Sequence, residues 1–436
     1  MMMNHMKGLG NLLVIGLLVM ACSSKSEPAP SENSTAVKPE AKSENASEQK
    51  SKEDNDSEQA VKLEKAVITL WHTYRAEEKD ALEQVVKAYN EQGGPVTIDA
   101  VPVPYDAFVD KLELTIPNGL GPDLFIFAHN MVGHWSTLGL IAPLSEFANP
   151  ELLKRFLPNT VKALVYNKSL YGLPLAFKNL VLYYNKDMVP KAPTTMQELQ
   201  ALSQGKKWSP PLAFETGLLY FHAPFLFGND GQLFDDEGKP NLNNQGAINA
   251  LQMVKELLDA GTISTGLSSV TLSALFNEKK TPFVMNGPWF RGEIDKDINY
   301  GVAPLPTLAN GKKMKPFLGS EGVFINANSE VKAQAFHAAA FLTSDQGAKV
   351  RAAVGQQTIA NASLYNEDPI QKDDRFAVFR AQAQEAELMP SHPAMQKVWG
   401  HYDTAILKVL SGSASPEDAL GAAQALVSKE VGPVEK

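Results

Sequence analysis

The single thiol of the chain, Cys22, closes the run Val19-Met20-Ala21-Cys22, behind Lys7 and an apolar stretch over residues 12–20. A basic residue, a short apolar core and a small residue before a cysteine make up a bacterial lipoprotein export signal, cut before Cys22, whose thiol then takes the lipid. The apolar run falls far short of the roughly 20 residues needed to cross a bilayer, so residues 1–22 are expected to direct export and then to be removed. With no second cysteine, no intrachain disulfide can form even in an oxidising compartment, and the fold must stand on its core. The eight histidines are scattered, and only His129 and His134 lie close together near a strand end that could hold a ligand. Their five-residue spacing does not put both on one helical face, which favours structural roles over a metal site. Carboxylates are plentiful, but a glycosidase needs a pair flanking the scissile bond at a separation that sequence does not define. No Gly-x-Ser-x-Gly elbow, phosphate loop or His-Glu-x-x-His motif occurs, so neither catalysis nor a metal or other cofactor is expected.

The elements that would position a site begin only after a long polar segment. Residues 23–60 are rich in Ser, Glu, Lys, Ala and Asn, with Val37 as the only large aliphatic residue and no aromatic. Such a stretch cannot bury enough apolar surface to offset the entropy of ordering it, so residues 23–65 are expected to be a disordered tether. It would let the body range roughly 30–35 Å from a membrane surface. The roughly 370 residues that follow exceed what one core usually serves, so two domains are expected. A formal net charge of −9 and a pI near 5.5 argue against nucleic acid as a partner.

Along the body, residues 67–71 read as a short buried strand, and residues 77–90 as a helix with Leu82, Val85, Val86 and Tyr89 on one face. Gly93-Gly94-Pro95 stops that helix; residues 96–101 and 123–128 read as two further strands. Strand, helix, strand implies a mostly parallel sheet covered by helices, with ligands gathering at the strands' carboxyl ends. Thr195 and Glu198 have capping-box spacing, and residues 183–187 read as strand exit and turn without a ligand role.

Several motifs then occur in a characteristic order: the segment Gly121-Pro122-Asp123 to Ala128-His129, Tyr184-Asn185-Lys186-Asp187, Asn286-Gly287-Pro288-Trp289, Tyr300-Gly301-Val302 with Leu305-Pro306-Thr307, and Met389-Pro390 followed by Trp399. In order and approximate spacing they resemble the bacterial maltose/maltodextrin-binding proteins, the solute-binding receptors of carbohydrate ABC importers. The resemblance covers nearly the whole body. It implies an α/β, two-lobed periplasmic-binding-protein-like fold of type II, with lobes joined by crossing hinge segments. Lobe 1 is expected over 66–177 and 319–370, lobe 2 over 178–318 and 371–436. The function it implies is a monomeric, membrane-tethered receptor, facing the periplasm or cell exterior, that captures a sugar in the interlobe cleft and hands it to ABC permease subunits by hinge closure. A sugar-sensing module for a signalling receptor and a secreted polysaccharide-acting enzyme are the alternative readings.

Sugar rings expose apolar C–H faces that stack on aromatic side chains, while their hydroxyls take planar hydrogen-bonding groups. Carried over from the resemblance, Trp289, Trp399, Tyr220 and Phe221 are expected to contact sugar, with Met389 beside Trp399. Phe127 stands where maltose binders have a tryptophan on the first lobe, leaving a smaller stacking surface. Following the apolar strand over residues 282–285, Asn286-Gly287-Pro288 should turn the chain at a sheet edge and present Trp289 beside the cleft. The polar positions depart from the family pattern. Asn130-Met131 replaces an Asp-Arg pair, and Lys178 replaces a glutamate near the first crossing segment. Each charged hydrogen bond is worth about 1.5–3 kcal/mol, so maltose itself is not the assumed ligand. Arg75, Asp110 and Glu321 are candidate replacements, and Lys178 and Glu321 could instead pair across the hinge.

Overall fold

β1 (Ala66–His72), β2 (Val96–Pro102) and β3 (Leu124–Ala128) lie side by side in parallel, with β1 in the middle, in a computed structural model that describes residues 63–431. Cys22, the export signal and the tether as far as residue 62 lie outside the described residues. α1 (Ala76–Asn90) joins β1 to β2 and buries Ala81, Leu82, Val85, Val86 and Tyr89, the face its apolar spacing predicts. α2 (Tyr105–Thr115) joins β2 to β3 and buries Phe108 and Leu112.

The remaining strands make the architecture mixed. β4 (Val165–Tyr166) and β5 (Ser169–Leu170) form a small hairpin. β6 (Gly172–Lys178), β11 (Phe317–Ile325) and β12 (Glu387–Leu388) complete a six-stranded sheet in which β11 runs antiparallel to both β3 and β6. β7 (Val181–Asn185), β8 (Leu212–Ala213), β9 (Phe283–Asn286) and β10 (Tyr300–Ala303) form a four-stranded sheet ordered β10-β7-β9-β8. The parallel pairing expected from the strand-helix-strand order holds for β1 to β3 and recurs between β11 and β12 and between β8 and β9, while β3, β6, β7 and β10 bring in antiparallel pairs, so both sheets are mixed.

The chain passes from one sheet to the other between Lys178, the last residue of β6, and Val181, the first of β7. Asn179 is buried at this crossing and donates to the Phe379 carbonyl at 3.4 Å; Thr358 donates its hydroxyl proton to the Phe177 carbonyl. Every residue of β11 is buried, so Ser320 and Glu321 sit inside a strand that is otherwise apolar or glycine. Apolar clusters fill both sides. One gathers Ile68, Leu70, Leu124, Leu173 and Val323; another gathers Leu182, Met285, Phe225, Leu251 and Val398 with the helices Leu219–Gly228, Gln245–Asp259 and Met395–Leu410.

Two local readings change in detail. The strand carrying Asn286-Gly287-Pro288-Trp289 is interior, flanked by β7 and β8, so the turn lies at a strand end and not at a sheet edge. At the helix Met196–Ser203, the Thr195 hydroxyl caps the Glu198 amide at 3.0 Å as expected. The Glu198 carboxylate, however, reaches one residue further back and accepts from the Thr194 amide and hydroxyl at 2.8 and 2.9 Å.

Candidate functional site

Pro288–Glu293, a 3-10 turn directly after β9, carries Trp289. Gly287 ahead of it has φ −89°, which any residue tolerates; what the position excludes is volume. A Cβ there would lie 2.2 Å from the six-membered ring of Trp289, so the indole is folded back over its own glycine. Tyr220 packs 6.0 Å from Trp289 and 6.1 Å from Phe317, and Trp399 stands edge-on to Phe317 at 5.7 Å. Fully buried Phe317 is thus the base of a wall on which Tyr220, Trp289 and Trp399 keep part of their surface exposed.

Beside this wall lies a charged floor. Lys178 at the end of β6 pairs with Glu321 of β11 at 3.1 Å and approaches Glu78 of α1 at 3.9 Å. Tyr74 donates its hydroxyl proton to the other oxygen of Glu321, and the Gln357 amide donates to Glu78 at 3.0 Å. Glu321 is almost fully buried, whereas the side chains of Lys178 and Glu78 are 26% and 25% exposed, so these two offer a donor and an acceptor to a ligand. Burial pulls the Lys178 ammonium down, but the two carboxylates reverse that and hold it above its ordinary value. Burial raises the Glu78 carboxyl above the usual carboxylate range, Lys178 opposes the shift, and Glu321 adds to it. Burial holds the Tyr220 hydroxyl well above its ordinary value; Lys178 is close enough to work against that shift, which sets floor and wall within electrostatic reach of each other. Lys178 and Glu321 also act on the Tyr105 hydroxyl.

The other sequence candidates are distributed unevenly. Phe127 is only 6% exposed, with Phe108 stacked at 4.9 Å and Tyr105 at 5.6 Å, so its ring has no free face. Tyr105, 58% exposed, is the member of this stack that stays open to solvent. Phe221 points into the core, 4% exposed and edge-on to Tyr220 at 5.7 Å, because consecutive helical residues face different directions. Met389 is buried as well, and its carbonyl accepts from His129 Nε2 at 2.8 Å. Ser320 donates its amide proton to His129 Nδ1 at 2.9 Å, which fixes the tautomer, so His129 is a buried tie between β3, β11 and residue 389. His134 pairs with Glu113 at 3.1 Å. Arg75 is exposed at the start of α1 and close enough to act on Glu78; Asp110 is exposed on α2; the Asn130 carbonyl accepts from Gln396 at 3.4 Å. Sequence reasoning missed Tyr74, Glu78, Tyr105 and Gln357. A tyrosine following a proline at a helix start was a usable signal for Tyr105, whereas Glu78 looks like any first-turn acid.

Two cavities elsewhere, of about 460 Å³ beside α1 and β2 and about 450 Å³ behind His129 and Met389, are lined by no Trp, Tyr or Phe. They lack the flat faces that a sugar ring needs. Among the described residues no group of His, Cys, Asp and Glu is arranged to hold a metal ion, and no helix is long and apolar enough to cross a membrane.

Two sheets covered by helices, with the chain crossing between them after Lys178, make up the mixed α/β architecture of the two-lobed type II periplasmic-binding-protein fold. A family model described as bacterial extracellular solute-binding protein matches residues 84–378, and the chain belongs to that family. It is 28% identical over 362 residues to the galactooligosaccharide-binding protein of Bacillus subtilis (strain 168), covering 79% of this chain and 85% of that one. It is 27% identical over 447 residues to a maltooligosaccharide ABC transporter solute-binding lipoprotein of Streptococcus pneumoniae (strain ATCC BAA-255 / R6), covering 97% and 96%. Among solved structures, the Thermus thermophilus maltotriose binding protein bound with maltotriose superposes with a TM-score of 0.76 at 25% identity, covering 84% of this chain and all of that one.

Proposed function

We propose that this protein is an exported, lipid-anchored receptor that captures an oligosaccharide in its cleft and delivers it to an ABC permease. The observation that carries this reading is the half-exposed aromatic set Tyr220, Trp289 and Trp399 standing beside the Lys178–Glu78 donor and acceptor pair. Flat faces for ring C–H surfaces and charged partners for hydroxyls are the two things sugar recognition requires. Relatives named as oligosaccharide-binding proteins and as a transporter lipoprotein support the same reading. In it, residues 66–177 with 319–370 make one lobe and residues 178–318 with 371–436 the other. Tyr105, Tyr74, Glu78 and Glu321 then come from the first, Tyr220, Trp289 and Trp399 from the second, and Lys178 stands at the crossing, at the end of β6. Sugar bridging both would favour the closed state by its differential contacts, and that state would dock on the permease.

A binding role, without turnover, is part of the proposal. Thermal unfolding in the presence of maltotriose, galactotriose and longer oligomers tests it, since a ligand at a hundred times its Kd stabilises the native state by about 2.7 kcal/mol. At least one neutral oligosaccharide is expected to raise the melting temperature and to be recovered intact by chromatography. No stabilisation by any of them, or release of shorter sugars, would overturn the reading.

A further inference from the structure

A chain of contacts leads from Trp289 to Glu78, the two ends of the candidate site, through Arg291, Gln356 and Gln357, none of them a candidate ligand position. Trp289, Phe290 and Arg291 are consecutive in the 3-10 turn after β9, and a 3-10 turn is held by poorly aligned hydrogen bonds, so its anchors decide how it sits. Phe290 is fully buried against Tyr183 at 5.1 Å and Phe276 at 5.7 Å. Arg291 is 6% exposed, lies 5.6 Å over the Phe376 ring, and donates Nη1 to the Gln356 carbonyl at 3.0 Å. Gln356 has φ +50°, in the left-handed region that non-glycine residues seldom occupy and that tends to persist where the surroundings enforce it. That conformation turns two consecutive residues toward different partners. The Gln356 carbonyl faces Arg291, while the Gln357 side chain reaches Glu78, and because a carboxylate only accepts, it is the amide nitrogen that meets it.

We propose that Arg291, Gln356 and Gln357 form a strut between the aromatic wall and the charged floor, which makes Arg291 a positioning residue for Trp289. Displacement of Glu78, by a ligand hydroxyl or by mutation, is transmitted through Gln357 and Gln356 to the turn that carries the indole. As a statement about sugar binding this rests on the proposed cleft; as a statement about Trp289 it does not.

The test uses protein labelled with 5-fluorotryptophan, whose five tryptophans give separate fluorine NMR lines. Trp289→Phe assigns the Trp289 line. Gln357→Leu, which removes the link to Glu78 and touches no tryptophan, is expected to shift or broaden the Trp289 line and leave that of fully buried Trp135 in place. Arg291→Gln should move the same line further, with Arg291→Lys recovering part of the shift. An unmoved Trp289 line in Gln357→Leu, or equal movement of all lines, overturns the strut. If Arg291→Gln does not fold, Gln357→Leu decides alone. With maltotriose as probe, each variant should weaken binding by about two- to thirtyfold. A wild type that ignores maltotriose, galactotriose and the longer oligomers alike counts against the sugar reading only, because the lines are recorded without ligand.

Discussion

Adding one carbon at Gly287 should disable the stacking wall without disturbing the fold. The backbone of Gly287 is already in a conformation that alanine adopts freely, at φ −89° and ψ −177°, so Gly287→Ala carries no conformational penalty. The new methyl would lie 2.2 Å from the Trp289 ring, whereas carbons in contact stay about 3.5 Å apart, so the indole must retreat by about 1.3 Å or change rotamer. Trp289 is only half-buried, so it can move outward. The cost to stability is then expected near the low end of overpacking effects, about 1 kcal/mol. Binding should suffer more, because displacing an aromatic anchor costs about 2 kcal/mol, some 30-fold in Kd. Calorimetric titration with the oligosaccharide that stabilises the wild type measures this. In a Trp289→Ala background the same methyl meets no ring, so Gly287→Ala should cost nothing further. Equal affinity of Gly287→Ala and wild type would refute the reasoning, as would an undiminished loss in the Trp289→Ala background.

Removing the floor's cation with Lys178→Met leaves Glu321 and Glu78 facing each other; since Lys178 is a quarter exposed, a stability loss of about 2–3 kcal/mol is expected in urea unfolding, partly recovered by adding Glu321→Gln. Burial pushes the Asp403 carboxyl up to about 6, opposed by the Leu219 amide that donates to it at 2.6 Å. Its stabilising effect is complete below the unfolded value of 3.8 and is lost as pH rises through about 6. Allowing for partial exposure, wild type should lose about 1–2 kcal/mol between pH 4 and 7.5 that Asp403→Asn does not lose, compared by urea unfolding at both pH values. For His129, burial lowers the imidazole to about 4, opposed by the backbone carbonyls of Met389 and Ser320, so its contribution is present above 6.5 and lost as pH falls toward 4. His129→Leu should cost about 2–4 kcal/mol at neutral pH by orphaning the Ser320 amide and Met389 carbonyl, and denaturation curves will show whether it does. Finally, Cys22→Ser should abolish labelling by radioactive fatty acid and membrane retention; a variant that stays labelled and bound would remove the lipid-anchor reading.

Local order was written in the sequence. The apolar spacing of α1 gave its buried face, Gly93-Gly94-Pro95 its end, and the runs around Ile68, Ile98 and Ile126 their strands, because period and punctuation act over a few residues. Motif order carried the resemblance to two-lobed sugar receptors. Burial of individual site residues could not be read in the same way. Whether Phe127 or Tyr105 offers a face depends on Phe108 stacking behind Phe127, and whether Tyr220 or Phe221 stays exposed depends on how one helix is rotated against Phe317. Such outcomes belong to packing between distant segments. The charged floor makes the point most clearly: Tyr74, Glu78, Lys178, Glu321 and Gln357 are spread over most of the body and have no common spacing. Desolvation inside the fold makes their mutual contacts obligatory, since a buried charge left alone costs far more than one that finds a partner, and only the folded chain brings the partners together.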